Sequence, residues 1–313
     1  MTCLVYLPLV LPLLLVPLTR RLTRSTHPQT AARTLALCAA VTAAAGAGTL
    51  ALVVLTLFDD LPAMERREAQ ALSAGVVLPE PVPDLVAAAA LLLAGWLGWR
   101  IITHTRQRRC VVRDLRAAGP PHNGLLVADW DRPHAVAVPG QGRGVRRRSG
   151  HVLVTSGLLR LLDPDERAAV LAHERAHLRL RHHRLIAVAG LAAAVHPLLR
   201  PVADGVGLLV ERASDEDAAL TVGDRRLVAR TVAKVALASQ PAAAGVTDDP
   251  GIGGLGIGGS NLMCRIDALT RPPVPVSGVW SVLACAVMAV TSAAAGGAVR
   301  DFIALIQAWS PSA

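Results

Sequence analysis

Lysine is almost absent from this chain of 313 residues: Lys234 is the only one, so the net charge of +9 rests on arginine. Aromatic residues are few too, 3% of the chain, with one tyrosine and two phenylalanines beside five tryptophans. A basic chain without a recognisable binding motif and with so little tyrosine and phenylalanine is poorly equipped for nucleic acid, and no nucleic-acid partner is expected. The five cysteines form no C-x-x-C pair; Cys3, Cys38 and Cys285 sit in apolar stretches, Cys110 and Cys264 in polar ones. This argues against both a disulfide framework and a thiolate metal site. "GIGGLGIGG" at 251–259 lacks the preceding strand and the Lys-Ser/Thr of a phosphate loop, and reads as a plain loop.

What the chain does have is apolar sequence. Hydrophobic residues make up 52% and mean hydropathy is +0.44, which calls for membrane spans plus a domain of modest size. Four segments have the length and lack of charge of transmembrane helices: about Cys3 to Leu18, Thr34 to Phe58, Leu85 to Ile102 and Ser277 to Val299. In the first, the arginines (Arg20, Arg21, Arg24) follow the apolar run, which predicts an uncleaved helix with its N-terminus outside. Arginines flank the first loop and follow the third span, whereas the loop between spans two and three is acidic. The positive-inside rule then puts the first loop and residues 103–276 in the cytoplasm of a multi-pass cell-membrane protein. Three units are predicted: spans in 1–102, a soluble domain in 103–276, and a last span with a short tail in 277–313.

Within the domain, two alternating runs, His134–Val138 and His151–Thr155, predict a hairpin or small sheet around a Gly- and Arg-rich loop. "LLDPDERAAVLAHERAHLRLRHH" opens with a helix start: Asp163 to cap, Pro164 at the first position, and Glu166 at capping-box spacing. A helix from Pro164 stacks His173 and His177 one turn apart, where both reach one Zn²⁺. Glu174 lies about 100° round, positioned for a water rather than the ion. Arg175, Arg179 and His182 are expected on the opposite, solvated face. Downstream, "ERASDEDAAL" offers Glu211 and, a turn later, Asp215. The first carboxylate suits a metal, and the second suits the other ring nitrogen of a histidine ligand. An acidic helix start accounts equally well for the same residues.

The apolar stretch Leu185 to Val210 looks like a fifth span, interrupted by His196, Pro197, Arg200, Pro201 and Asp204. A single crossing would part His177 from Glu211 by some 30 Å of bilayer. If the two share an ion, the stretch must return to its starting side, as a hairpin bent near His196–Pro201 or as a buried helix pair, with His196 a bend or interface residue rather than a ligand.

"AVAVPG", "GHVLVTSGLL", "DERAAVLAHERAHLRLRH" and "ERASDEDA", within about residues 130–220, resemble the membrane-bound gluzincin metallopeptidases. These include the HtpX and CAAX-prenyl-protease group and the antirepressor-type sensor peptidases, the latter most similar in their arrangement of spans. The resemblance implies a mainly α membrane protein of about four transmembrane helices, with a zincin-like α+β domain between the third and fourth. It implies one Zn²⁺ per chain held by His173, His177 and Glu211, with Glu174 as general base and Asp215 supporting a ligand. The family's oxyanion-steadying residue has no clear match. Arg265 is the nearest candidate, and a surface or headgroup-contacting arginine fits it as well. The tail "RDFIALIQAWSPSA" is too short for a sensor domain. The function expected is endoproteolysis of protein or peptide substrates at the membrane, in regulation or quality control. An exposed edge of His151–Thr155 would hold substrate by strand addition, beside Arg143 and Arg146–Arg148. The rival reading is a non-catalytic, zinc-stabilised scaffold or signal transducer.

Overall fold

The computed structural model describes residue 10 and residues 12–25, 27–55, 84–140, 149–239 and 259–272, with isolated positions between 282 and 303. Three helices come first: α1 (Pro12–Ser25), α2 (Pro28–Leu55) and α3 (Asp84–Ala117). Three short strands follow, β1 (Leu125–Ala128), β2 (Ala135–Val138) and β3 (His151–Thr155). The rest is helical: α4 (Ser156–Leu161), α5 (Pro164–Arg179), α6 (His182–Val195), α7 (Arg200–Val222), α8 (Arg225–Ala238) and α9 (Gly259–Thr270).

Among the described residues, two helices are long and apolar enough to cross a membrane, over Pro28–Ala51 and Leu85–Ala117. They contain most of the expected second span and all of the third. On α3 the apolar side chains face outward, with Leu85 82%, Leu92 77% and Trp99 64% exposed. Leaving such area in water costs about 25 cal/mol per Å², a cost that a bilayer around the helix removes. The expected first span is met only from Pro12 onward, in a helix that runs on through Arg20, Arg21 and Arg24. Its remainder, the acidic loop, Arg143, Arg146–Arg148, residues 251–258 and most of the expected fourth span lie outside the described residues.

The apolar stretch after α5 turns back on itself. His196 leaves helical geometry (φ −131°), a single 3₁₀ turn spans Pro197–Leu199, and α7 begins at Arg200. Ala189 and Ala192 of α6, and Val202, Val206 and Leu209 of α7, pack with Leu35 of α2 and Leu15, Leu18 and Leu22 of α1 in one buried cluster. The approach of α1 to α7 requires a glycine, since a Cβ on Gly205 would stand 2.3 Å from Thr19 Cγ2. Arginines fasten α3 to the domain: Arg100 Nη2 donates to the Ala193 carbonyl and Arg108 Nη2 to the His183 carbonyl, each at 3.2 Å.

The cap of α5 forms as its spacing predicts. Asp163 accepts from the amides of Asp165 and Glu166, and the Glu166 carboxylate accepts from the Asp163 amide at 3.0 Å. Lys234 of α8 adds an ion pair to that carboxylate at 2.6 Å, fixing the helix that carries the histidines.

The sheet departs from expectation. Its order is β1–β3–β2, with β1 parallel and β2 antiparallel to β3. The strand His151–Thr155 is central and buried along its whole length, so it has no edge to offer a substrate; both of its hydrogen-bonding sides are already taken. The free edge facing α5 belongs to β2. The Thr155 amide donates to the His134 carbonyl at 3.0 Å. By antiparallel alternation, Val136 and Val138 then pair with β3, whereas Ala135 and Ala137 turn their amides outward.

Candidate metal centre

Helix α5 presents His173 and His177 one turn apart, and α7 brings Glu211 to face them. The two Nε2 atoms are 3.1 Å apart. Glu211 Oε2 lies 3.5 Å from His173 Nε2, and Oε1 lies 3.5 Å from His177 Nε2. Among the described residues these three form the group able to hold a metal ion. A tetrahedral ion with ligand bonds of about 2.0–2.1 Å places neighbouring ligand atoms about 3.3–3.4 Å apart. The observed separations bracket that value, so the donor set fits zinc in both geometry and chemistry.

Behind the donors stands a charged support. Asp215, one turn beyond Glu211 and 1% exposed, places Oδ1 3.0 Å from His173 Nδ1. Arg265, from α9, donates to Asp215 through Nε and Nη2, both at 2.8 Å, and its Nη1 lies 3.1 Å from Glu211 Oε2. The reading of Arg265 as a surface or headgroup-contacting residue is therefore wrong. It is buried, and each of its three nitrogens meets a carboxylate. Sequence left it ambiguous because 50 residues separate it from Asp215.

The electrostatics follow from this packing. Burial works against charge on Glu211, yet His177, His173 and Arg265 hold its carboxyl well below the usual range. Burial likewise opposes charge on His173, but its bonds to Asp215 and Glu211 outweigh that and raise it to about 10. For His177, burial wins, with help from the neighbouring His173, and lowers it to about 4. The two imidazoles are thus pushed in opposite directions, and metal binding, which needs both neutral, would compete with protonation of His173. Glu174 sits beside the cluster with its carboxyl raised above the usual range by burial; the Ala137 amide of β2 donates to it.

One expected placement is wrong. His182 does not share the solvated face of Arg175 and Arg179; it is fully buried. Helix α5 stops at Arg179, and Arg181 adopts a left-handed conformation (φ 56°) before α6 starts. That residue breaks the helical phase and swings His182 inward, where its Nδ1 lies 3.3 Å from His177 Nδ1. Arg175 and Arg179 are exposed as expected, Arg179 pairing with Asp217.

Comparison with known proteins agrees with this site. Residues 105–245 match the model of peptidase family M48. The chain is similar to the protease HtpX homologue of Thermoplasma acidophilum, 42% identical over 67 residues, 21% of this chain and 20% of the relative. It is also similar to that of Thermoanaerobacter pseudethanolicus, 34% identical over 86 residues, 28% and 27% of the two chains. The matched part thus spans only 20% to 27% of these relatives' length. No solved structure gives a significant match. Residues 105–245 carry the paired histidines, Glu174, Glu211 and Asp215, so the likeness to peptidase family M48 takes in the whole donor set and its neighbouring glutamate.

Proposed function

We propose that the chain is a membrane-embedded, zinc-dependent endopeptidase that hydrolyses peptide bonds of protein substrates at the cytoplasmic membrane face. The observation that carries this reading is the triangle of His173, His177 and Glu211, with edges of 3.1–3.5 Å, beside the half-buried Glu174. Those three residues would hold one Zn²⁺ as three protein ligands, the number typical of catalytic rather than structural zinc sites. Asp215 fixes the ring of His173, and Arg265 clamps both carboxylates in place. A zinc ion held there supplies Lewis acidity toward a carbonyl oxygen and toward water.

Glu174 performs the proton transfer. Its half-buried carboxylate accepts a proton from the attacking water and returns it to the departing amine, and its raised proton affinity suits both steps. The Ala137 amide orients it. The neighbouring Ala135 amide on the same outward edge of β2 aligns an extended substrate by strand addition, the role earlier assigned to β3.

The metallopeptidase domain occupies 103–276, between spans in 1–102 and a last span in 277–313, with the N-terminus outside. The arginines that border α2 and α3 support this orientation. Cleavage in this setting serves regulatory or quality-control proteolysis. The test uses the full chain in detergent with an unfolded fluorescent casein. Treatment with 1,10-phenanthroline abolishes cleavage, and added zinc restores it; cleavage that survives complete removal of metal contradicts the proposal.

A further inference from the structure

Among the described residues, His182 is the fully buried histidine beside the centre to which the zinc reading gives no task. It is fully buried at the start of α6, and both ring nitrogens have polar neighbours. Nδ1 lies 3.3 Å from His177 Nδ1 and 3.1 Å from Ser214 Oγ. Nε2 lies 2.7 Å from the side-chain amide of Gln29, in the first turn of α2. Gln29 is itself buried and belongs to one of the two helices able to cross a membrane. An unbroken chain of polar contacts thus runs from a membrane helix to the far nitrogen of a metal ligand.

We infer that His182 is a positioning residue for His177, and that Gln29 couples the grip on the metal to the docking of α2. The inference rests on the zinc reading of the site. His177 turns Nε2 toward His173 and Glu211, so in its neutral, metal-binding form it carries its hydrogen on Nδ1. That hydrogen donates to His182 Nδ1. His182 then carries its own hydrogen on Nε2 and donates to Gln29. Such outer partners fix a ligand's tautomer and ring orientation and strengthen its basicity.

The Gln29 amide has two ways to meet His182. With its oxygen toward His182 it accepts from Nε2. With its nitrogen there, the oxygen instead faces the Arg33 guanidinium at 3.2 and 3.3 Å. A metal on His177 selects the first, because the second leaves hydrogens on both facing Nδ1 atoms. The link is therefore reciprocal: metal binding and the orientation of Gln29 on α2 each favour one state of the other.

The test is zinc affinity of the full chain in detergent, measured by chelator competition. Absorption of the cobalt(II)-substituted protein and thermal unfolding of the metal-free protein accompany it. His182→Leu should weaken zinc binding about 10- to 100-fold and alter the cobalt absorption bands. His182→Asn, which keeps an acceptor toward His177, should recover most of that loss. Gln29→Leu, which leaves the space around His177 untouched, should weaken binding several-fold in the same direction. The outcome that overturns the inference is wild-type zinc affinity and an unchanged cobalt spectrum in a folded His182→Leu or Gln29→Leu protein. If His182→Leu does not fold, Gln29→Leu decides alone. A wild-type chain that binds no zinc removes the zinc reading and this inference together; normal zinc in the folded variants removes only the inference.

Discussion

Glu174→Gln should leave the protein folded and zinc-loaded yet reduce proteolysis by about 10²- to 10⁴-fold, the range for loss of a general acid–base group. The substitution is nearly isosteric, and the amide still meets the Ala137 N–H through its oxygen, so the packing against β2 survives. It removes only the ability to accept a proton. Glu174 is not among the three mutually close donors, which is why metal content should not change. Casein cleavage and zinc content measured on the same purified sample check this. An active Glu174→Gln protein would assign the proton transfer elsewhere.

Glu211→Ala should have a comparable effect by the opposite route, with zinc lost first and activity with it. Two imidazoles would remain as protein ligands, and the site should bind zinc far more weakly. The change also strips a partner from Arg265, leaving a buried guanidinium paired with Asp215 alone. Removing one partner of a buried charge cluster costs about 3–5 kcal/mol, so thermal stability should fall too. Glu211→Gln separates the two effects, since it keeps the volume and an acceptor for Arg265 while surrendering the ligand charge. Zinc retained at the wild-type ratio after dialysis of both variants would take Glu211 out of the donor set.

Much of the site was legible because its parts are local. The Asp163–Glu166 cap fixes where α5 begins, and from that start the phase of His173 and His177 follows. Glu211 and Asp215 are legible for the same reason, one turn apart on a single helix. The need to unite them with α5 also required the chain to return along Leu185–Val210, and His196 does sit at the bend.

The misreadings share a different cause. His182 was placed by continuing the helix past Arg179, but Arg181 resets the backbone, and nothing in its side chain announces a left-handed residue. β1 was missed because "LLVA" is four apolar residues with no alternation, and its pairing with β3 is parallel and non-local. Once β1 joins, β3 becomes the middle strand and loses its edge. Arg265 and Gln29 reach the centre only through tertiary packing, from 50 residues beyond Asp215 and 153 before His182. No spacing rule reports such distances.

The central claim is that this chain binds zinc through two imidazoles and a carboxylate with a position left open. X-ray absorption at the zinc edge of the full chain in detergent tests it most directly. The account predicts about one zinc per chain, surrounded only by nitrogen and oxygen at about 2.0–2.2 Å, with the outer-shell scattering of two imidazoles. A sulfur shell at about 2.3 Å, or a purified, folded chain that takes up no zinc, would contradict it.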